Sequence, residues 1–501
     1  MIGAVDTRPL ADILGAGFSI DPTVRVRDLT LDSRSVVPGG AFLACRGSTH
    51  HGLRHAGEAI AAGASVILWE PAPDAPAPPA GGAVIVIAVP ALSARAGEFA
   101  SRFFGAPSAA LTVIGITGTN GKTTCAWLLA QALERLGARA AYFGTLGQGR
   151  TDALRYTGLT TADAVNLQRA LAAERAAGTR AVAMEVSSHA LAQRRTAGVR
   201  FAVAAFTNLS RDHLDYHGDM HAYGAAKARL FRDPPVARQV LNLDDAFGRE
   251  LATRAPAGAR LVLTTRDAAA AAAGAHPVLR AERVVATAHG LELELGGDFG
   301  RATLHSPLLG QFNAENLLTV LGVLLALDHP LAAAVPAVAA CSAAPGRMEA
   351  AGGGVLPLVV VDYAHTPDAL AKALAAARAH ARGRLWCVFG CGGDRDAGKR
   401  PLMGRTASEL ADVVIVTDDN PRTEDPAAIA AAVLAGADRT RTEVIHDRAA
   451  AIGSALARAR AGDVVLVAGK GHEREQIVGT ERRPFHDTSV VREFLQQRGS
   501  P

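Results

Sequence analysis

Cysteine is scarce in this chain and badly placed for cross-links. The 501 residues hold five, Cys45, Cys125, Cys341, Cys387 and Cys391, an odd number. No Cys-x-x-Cys pair occurs, which argues against a disulfide framework or a cysteine zinc site and suits a reducing cytosol. Aromatic residues are few and alanine abundant. No charge sign dominates: the net charge is +4 with no basic block, so neither nucleic acid nor a membrane surface is an expected partner. Long apolar runs are missing too. The most apolar helix-like stretch, Leu317 to Leu327, is too short to cross a bilayer. Asp6, Arg8 and Asp12 interrupt the N-terminus, which is unlike a secretory signal. A cytoplasmic protein without membrane insertion is expected.

The length exceeds what one core supports, so two to four domains are expected. The Pro-rich stretch 71–82 reads as a surface loop between strands at Ser65–Trp69 and Ala83–Val89. Apolar runs at Ala181–Glu185 and Ala202–Thr207 read as buried strands, and Ala162–Ala177 as a helix. Beyond Ser342–Gly346 a strand–helix rhythm restarts, with strands at Leu358–Val361, Leu385–Phe389, Val413–Val416 and Val464–Val467. This alternation predicts an α/β fold with mostly parallel sheets. Three domains follow: 1–108, 109–343 and 344–501. The alanine-rich stretch 268–277 receives no role.

The most informative segment is Gly118-Thr119-Asn120-Gly121-Lys122-Thr123-Thr124. It lies between the apolar run Leu111–Ile116 and a helical pattern ending at Gly137. Glycines let the backbone approach an anion, and free N–H groups at a helix start point at it. Lys122 adds a cation and Thr123 a hydroxyl for Mg²⁺. The general phosphate-loop pattern has a glycine where this chain has Ile116, so the loop is a variant.

Other segments carry chemistry at strand ends. Glu185 is a natural Mg²⁺ ligand or a solvent-facing carboxylate. His213, His217 and His221 are spaced four apart, but Gly218 argues against one continuous helix and against a zinc site. Asp362 could accept ribose hydroxyls; alternatively it belongs to a turn, with Thr366 as a cap and Pro367 at the first helical position. Arg395 and Arg422 lie on loops after neighbouring strands and could grip a carboxylate, or be solvated charges. Glu473 could face an ammonium or favour a helix dipole.

Together these segments resemble the Mur ligases, ATP-dependent amino-acid-adding enzymes of peptidoglycan synthesis. The likeness is carried by Leu31–Arg34, Gly118–Thr124, Glu185–His189, Asn208–His217, Ala225–Lys227, Gly346–Glu349, Asp362–Pro367, Gly390–Pro401, Asp419–Arg422 and Gly469–Glu473. The resemblance implies a UDP-sugar-binding N-terminal domain, a central P-loop ATPase-like parallel sheet and a C-terminal Rossmann-like domain that binds the amino acid. It implies that meso-2,6-diaminopimelate is added to UDP-N-acetylmuramoyl-L-alanyl-D-glutamate through an acyl phosphate, in a pathway serving cell shape and division. A monomer is expected.

By resemblance, Gly118, Thr119, Asn120, Gly121, Lys122, Thr123, Thr124, Asn316, Arg347 and Asp362 bind ATP. Lys122, Glu185, His213, Lys227 and Arg347 are catalytic. Thr123, Glu185, His213 and Lys227 serve two Mg²⁺ ions, the lysine as a carbamate formed with CO₂. Leu31, Ser33, Ser48, Thr49, His50, Thr160, Thr161, Ser187, Gln193 and Arg195 bind the UDP-sugar-peptide. Arg395, Asp419, Asn420, Pro421, Arg422, Gly469 and Glu473 bind diaminopimelate. The family usually shows Thr-Thr-Pro where this chain has Thr160-Thr161-Ala162; losing the proline loosens the backbone and keeps both hydroxyls.

A lysine-adding relative lacks the arginine of the Asp419-Asn420-Pro421-Arg422 pattern, and a folylpolyglutamate synthetase lacks the Leu31–Arg34 segment. An ATP-driven motor or switch leaves Arg395, Arg422 and Glu473 unexplained. An inactive UDP-sugar scaffold does not require Lys122, Glu185, Lys227 and Arg347.

Overall fold

A computed structural model describes residues 7–47, 50–80, 82–267, 276–287 and 290–499. The chain divides into two compact units. One comprises residues 1–122, 133–241 and 245–261; the other comprises 123–132, 242–244 and 262–501.

The first unit opens with a small parallel sheet in the order Leu29–Thr30, Ala41–Ala44, Val66–Trp69, Ile85–Ala88. The Pro-rich stretch joins the last two strands as a loop. Helix Leu92–Phe103 packs Leu92, Phe99 and Phe103 against Leu43, Val66 and Leu68 of this sheet. Further on, strand Thr112–Thr117 lies between Ala181–Glu185 and Val203–Phe206, parallel to both. Ala140–Gly144 and Arg238–Asn242 extend the sheet in parallel on either side. A strand covered on both faces reads as a continuous apolar run, which is why Ala181–Glu185 shows no alternation.

In the second unit, strands Val278–Thr287, Gly290–Gly297 and Ala302–Ser306 form an antiparallel meander. The expectation of mostly parallel pairing did not include it. At Gly290, where the second of these strands begins, φ is 140°, and a Cβ would fall 1.9 Å from the Ser306 carbonyl oxygen.

The C-terminal sheet runs Glu349–Gly352, Leu358–Asp362, Val464–Ala468, Leu385–Phe389, Val413–Val416, Thr442–Val444. All pairings are parallel except the first. Its strands separate residues by parity. Val360, Cys387, Phe389, Val414 and Leu466 face one core, with Leu370, Leu374, Met403 and Val433. Val359, Val361, Trp386, Val388, Ile415 and Val465 face another, with Ile452, Leu456 and Val491. Helices thus cover both faces, and loops at the carboxyl ends of the strands are left to bind ligands. The α/β class and parallel-rich sheets agree with the sequence-based expectation.

Candidate active site

In the first unit the phosphate loop follows strand Thr112–Thr117 directly. At Gly118 φ is 153°, and a Cβ would lie 1.9 Å from Thr207 Oγ1 and 3.0 Å from the Asn208 nitrogen. Only glycine fits this approach. The Asn208 segment braces the loop. Thr119 N donates to Asn208 O at 2.8 Å, Asn120 N to Asn208 Oδ1 at 2.9 Å, and Thr207 Oγ1 to Asn120 O at 2.6 Å. Lys122 Nζ donates to the carbonyls of Gly118 and Thr119, each at 2.9 Å. Gly121, with φ 85°, leads into helix Lys122–Arg135. This geometry fits a phosphate cradle: a backbone turn held open from outside, with a lysine at its rim.

Glu185 is buried at the end of its strand. Its Oε1 accepts from Tyr142 Oη at 2.5 Å and Thr145 N at 2.9 Å, and its Oε2 from Thr145 Oγ1 at 3.3 Å. Gly144 is required by this carboxylate, since a Cβ would fall 2.1 Å from Oε1. A fixed oxygen donor of this kind suits a hard cation. Lys227, on helix Met220–Arg232, is buried; its Nζ donates to Gly118 O at 2.7 Å and lies 4.3 Å from the Tyr223 ring centroid. Burial pulls the Lys227 ammonium well below its usual range, and the Lys122 charge adds to this.

The three spaced histidines do not share a helix. His213 has φ 50°, helix Leu214–His217 ends at Gly218, and His221 lies on the next helix. His213 and His217 instead surround His189, with ring centroids 4.8 and 5.5 Å away. Burial lowers His189 and His217, with His213 assisting. Among the described residues no group of three or more His, Cys, Asp or Glu is arranged to hold a metal.

The expected sugar-peptide residues occupy two parts of this unit. Ser33 Oγ donates to Glu58 at 2.6 Å, Leu31 packs on the N-terminal core and His50 is exposed. Ser48 and Thr49 lie outside the described residues. Thr160, Thr161, Ser187, Gln193 and Arg195 are brought together near Glu185. Thr161 Oγ1 donates to Glu185 O at 2.9 Å and accepts from Ser187 N at 3.2 Å. Arg195 Nη1 donates to Thr161 O at 3.0 Å and Nε to Gln193 Oε1 at 2.9 Å. Thr160 Oγ1 pairs with Thr145 Oγ1 at 3.0 Å.

In the second unit Thr123 and Thr124 are buried, and Asn316 Nδ2 donates to Asn313 Oδ1 at 2.7 Å. Asp362 accepts from Met348 N at 2.8 Å, beside Arg347. Burial raises the Asp362 carboxyl while Arg347 opposes this. The Arg347 guanidinium sits 5.0 Å from the Tyr363 ring centroid, and Tyr363 lies 5.2 Å from the His472 ring. Burial drives His472 down to about 4, with Arg347 acting in the same direction.

Three carboxyl-end loops converge in this unit. Arg422 has φ 53°, and its Nη1 donates to Gly393 O at 2.7 Å. Its backbone pairs with the third loop: Arg422 N to Ile477 O at 3.0 Å and Gly479 N to Arg422 O at 2.7 Å. Arg395 is close by. A Cβ placed on Gly392 would be 2.9 Å from Arg422 Nη1 and 3.8 Å from Arg395 Cγ. Glu473 joins Asn420 Nδ2 through its Oε2 at 2.8 Å. Asp419 is buried; burial raises its carboxyl, against Arg448 and Lys470. Gly469 is forced by Asp419, since its Cβ would fall 2.7 Å from Oδ2. Pro421 presents its carbonyl to Gly393, where a Cβ would come within 1.8 Å. Two guanidiniums and a carboxylate at adjoining strand ends can bind a zwitterionic amino-acid head.

Sequence reasoning missed Tyr142, Thr145, Thr207 and Lys470. The first three carry no motif. Lys470 stood in a quoted segment, but only its burial marks it.

An α/β fold with a loop shaped like a phosphate cradle and with charged side chains at the strand ends of its C-terminal sheet is what these parts define. Residues 116–324 match the Mur ligase middle domain, 346–471 the Mur ligase glutamate ligase domain and 25–104 the Mur ligase family catalytic domain. The chain belongs to the Mur ligase family. It is 49% identical over 488 residues to UDP-N-acetylmuramoyl-L-alanyl-D-glutamate–2,6-diaminopimelate ligase of Ectopseudomonas mendocina strain ymp, covering 97% of this chain and 98% of that one. It is 48% identical over 471 residues to the protein of the same name from Pseudomonas aeruginosa PAO1, covering 94% and 95%. A solved structure of a UDP-N-acetylmuramoyl-L-alanyl-D-glutamate–2,6-diaminopimelate ligase superposes with a TM-score of 0.74 at 36% identity, covering 99% of this chain and all of that one. No helix among the described residues is long and apolar enough to cross a membrane.

Proposed function

We propose that this protein uses ATP to join meso-2,6-diaminopimelate to the D-glutamate side chain of UDP-N-acetylmuramoyl-L-alanyl-D-glutamate, in the cytoplasm, during peptidoglycan precursor synthesis. The observations that support the reading are Arg395 and Arg422 side by side at Gly392, and Glu473 bonded to Asn420 two residues before Arg422, on strand-end loops of the C-terminal sheet. Diaminopimelate has a second amino-acid head where lysine has only an amine. The guanidiniums suit its carboxylate and Glu473 its ammonium. Lysine would leave the arginines unmatched, a large penalty in a site built for the pair.

In this reading Lys122 and the loop Gly118–Thr124 bind phosphates of ATP, Arg347 also serves phosphate, Asn316 adenine and Asp362 ribose. Thr123, Glu185, His213 and Lys227 as a carbamate would hold two Mg²⁺ ions, which would neutralise phosphate charge. The burial of Lys227, which disfavours its ammonium, supports the carbamate: the neutral amine would attack CO₂, forming an N–C bond and releasing a proton. A carboxylate oxygen of the substrate D-glutamate takes the γ-phosphoryl group, and the bond to ADP breaks. The diaminopimelate amine then attacks the acyl carbon, phosphate departs with the C–O bonding pair, and the nitrogen loses a proton.

Leu31, Ser33 and the Ser48–His50 stretch serve the UDP-sugar, and Thr160, Thr161, Ser187, Gln193 and Arg195 the muramoyl-peptide. The division at residues 108 and 343 is supported by the three family segments, and the working unit is a monomer. The test is phosphate release with the UDP-dipeptide and ATP, supplying diaminopimelate, lysine or no amino acid. Release with diaminopimelate alone is expected; equal turnover of lysine overturns the specificity.

A further inference from the structure

The Lys470 side chain is wholly enclosed. Its Nζ donates to Asn420 Oδ1 at 3.0 Å and to Glu473 Oε2 at 3.0 Å. A second carboxylate, Asp419, stands 3.9 Å away. Asn420 completes the ring, its Nδ2 donating to the same Glu473 oxygen at 2.8 Å while its Oδ1 also accepts from Ile477 N at 2.9 Å. Both donors therefore meet on Glu473 Oε2. The Glu473 side chain is 32% exposed, and neither Lys470 nor Asn420 bonds to its Oε1.

Burying an ammonium is expensive, and an apolar side chain of similar volume often stabilises a core as well or better. A stability role alone does not explain why the side chain enclosed against these two residues carries a charge. An orienting role does. Asn420 and Glu473 come from different loops, after strands Val413–Val416 and Val464–Ala468, and each would otherwise sample several rotamers. One buried cation ties both to a single geometry.

We propose that Lys470 is a positioning residue for the incoming amino acid: it locks Asn420 and Glu473 together so that Glu473 Oε1 is presented to the ligand's ammonium. The inference rests on the diaminopimelate reading above. Lys470 touches no substrate; it acts through Glu473 and Asn420.

The experiment is steady-state phosphate release by the full chain, native and Lys470→Met, with each substrate varied in turn. The expected result is a rise of about tenfold or more in KM for diaminopimelate, the loss of a charged hydrogen bond. KM for ATP and for the UDP-dipeptide should stay within about twofold, since those sites share none of these contacts. Lys470→Met combined with Glu473→Gln should be no worse than Glu473→Gln alone. If Lys470→Met does not fold, Lys470→Gln carries the same comparison. An unchanged KM for diaminopimelate, an equal rise for all substrates, or additive losses in the double variant overturns the proposal. A native protein idle with diaminopimelate overturns the functional reading itself; a native protein that uses it, beside a Lys470 variant with native KM, overturns only this inference.

Discussion

Lys227 Nζ donates to the carbonyl of Gly118 at 2.7 Å. A buried lysine on one helix is thus fastened to the first glycine of the phosphate loop, and its ammonium is disfavoured by burial and by Lys122. Lys227→Ala should therefore lower kcat on the order of 10²-fold or more, as for loss of a group that stabilises transition-state charge. Native protein equilibrated with ¹³C-bicarbonate should show a carbamate carbon resonance that the variant lacks. Full activity of Lys227→Ala, with or without bicarbonate, would remove the lysine from the mechanism.

Gly392 and Gly393 should respond differently to alanine. At Gly392 the new Cβ meets the far end of a flexible side chain, Arg422 Nη1 at 2.9 Å. The guanidinium can shift, so Tm should change little while kcat/KM for diaminopimelate falls by about tenfold. At Gly393 the Cβ meets the Pro421 carbonyl at 1.8 Å, which is backbone. Gly393→Ala should destabilise by about 1–3 kcal/mol. Thermal melts and kinetics on both variants separate the two effects.

Arg448 and Asp487 form an ion pair with both side chains fully buried, Nε to Oδ1 at 2.7 Å and Nη2 to Oδ2 at 2.8 Å. Asp487→Asn leaves the guanidinium charge uncompensated and should cost about 3–5 kcal/mol. Replacing both by apolar residues, Arg448→Met with Asp487→Leu, should recover most of that loss. Denaturant titration of the three proteins reads the comparison.

His472 supplies a pH dependence. Its folded value, about 4, lies below the ordinary 6.5. Between these values the native state binds fewer protons than the unfolded chain. The stability linked to this neutral ring is therefore intact above about pH 6.5 and lost as pH falls toward 4. His472→Gln should flatten the acid limb of the stability profile by on the order of 2–3 kcal/mol. Tm measured from pH 7 to pH 4 checks it; parallel profiles would refute it.

The buried strands were legible because both-face burial writes an unbroken apolar run: Ala181–Glu185, Leu385–Phe389 and Val413–Val416 have the expected bounds. The break at Gly218 was legible because glycine ends helices, and it separates Leu214–His217 from Met220–Arg232. The meander Val278–Ser306 was not. Its strands mix Arg, Glu and Thr with the aliphatics, and pairing between them is fixed by turns and register rather than by a run of apolar residues. Arg395, Arg422 and Glu473 were readable as strand-end charges, but the approach of the two arginines depends on Gly392, and the backbone of Arg422 on the third loop, which no local pattern reveals. Tyr142 was hidden because its strand neighbours are apolar and the buried Glu185 that accepts from its hydroxyl lies far away in sequence.

The backbone of Arg422 is gripped by Ile477 and Gly479, at the rim of the hairpin Glu475–Pro484. If Arg422 reads the incoming amino acid as proposed, selectivity has a lever in this hairpin as well as in the contacting side chains. Relatives that drift in this ribbon's length or turn could retune which amino acid they accept while every contacting side chain stays the same.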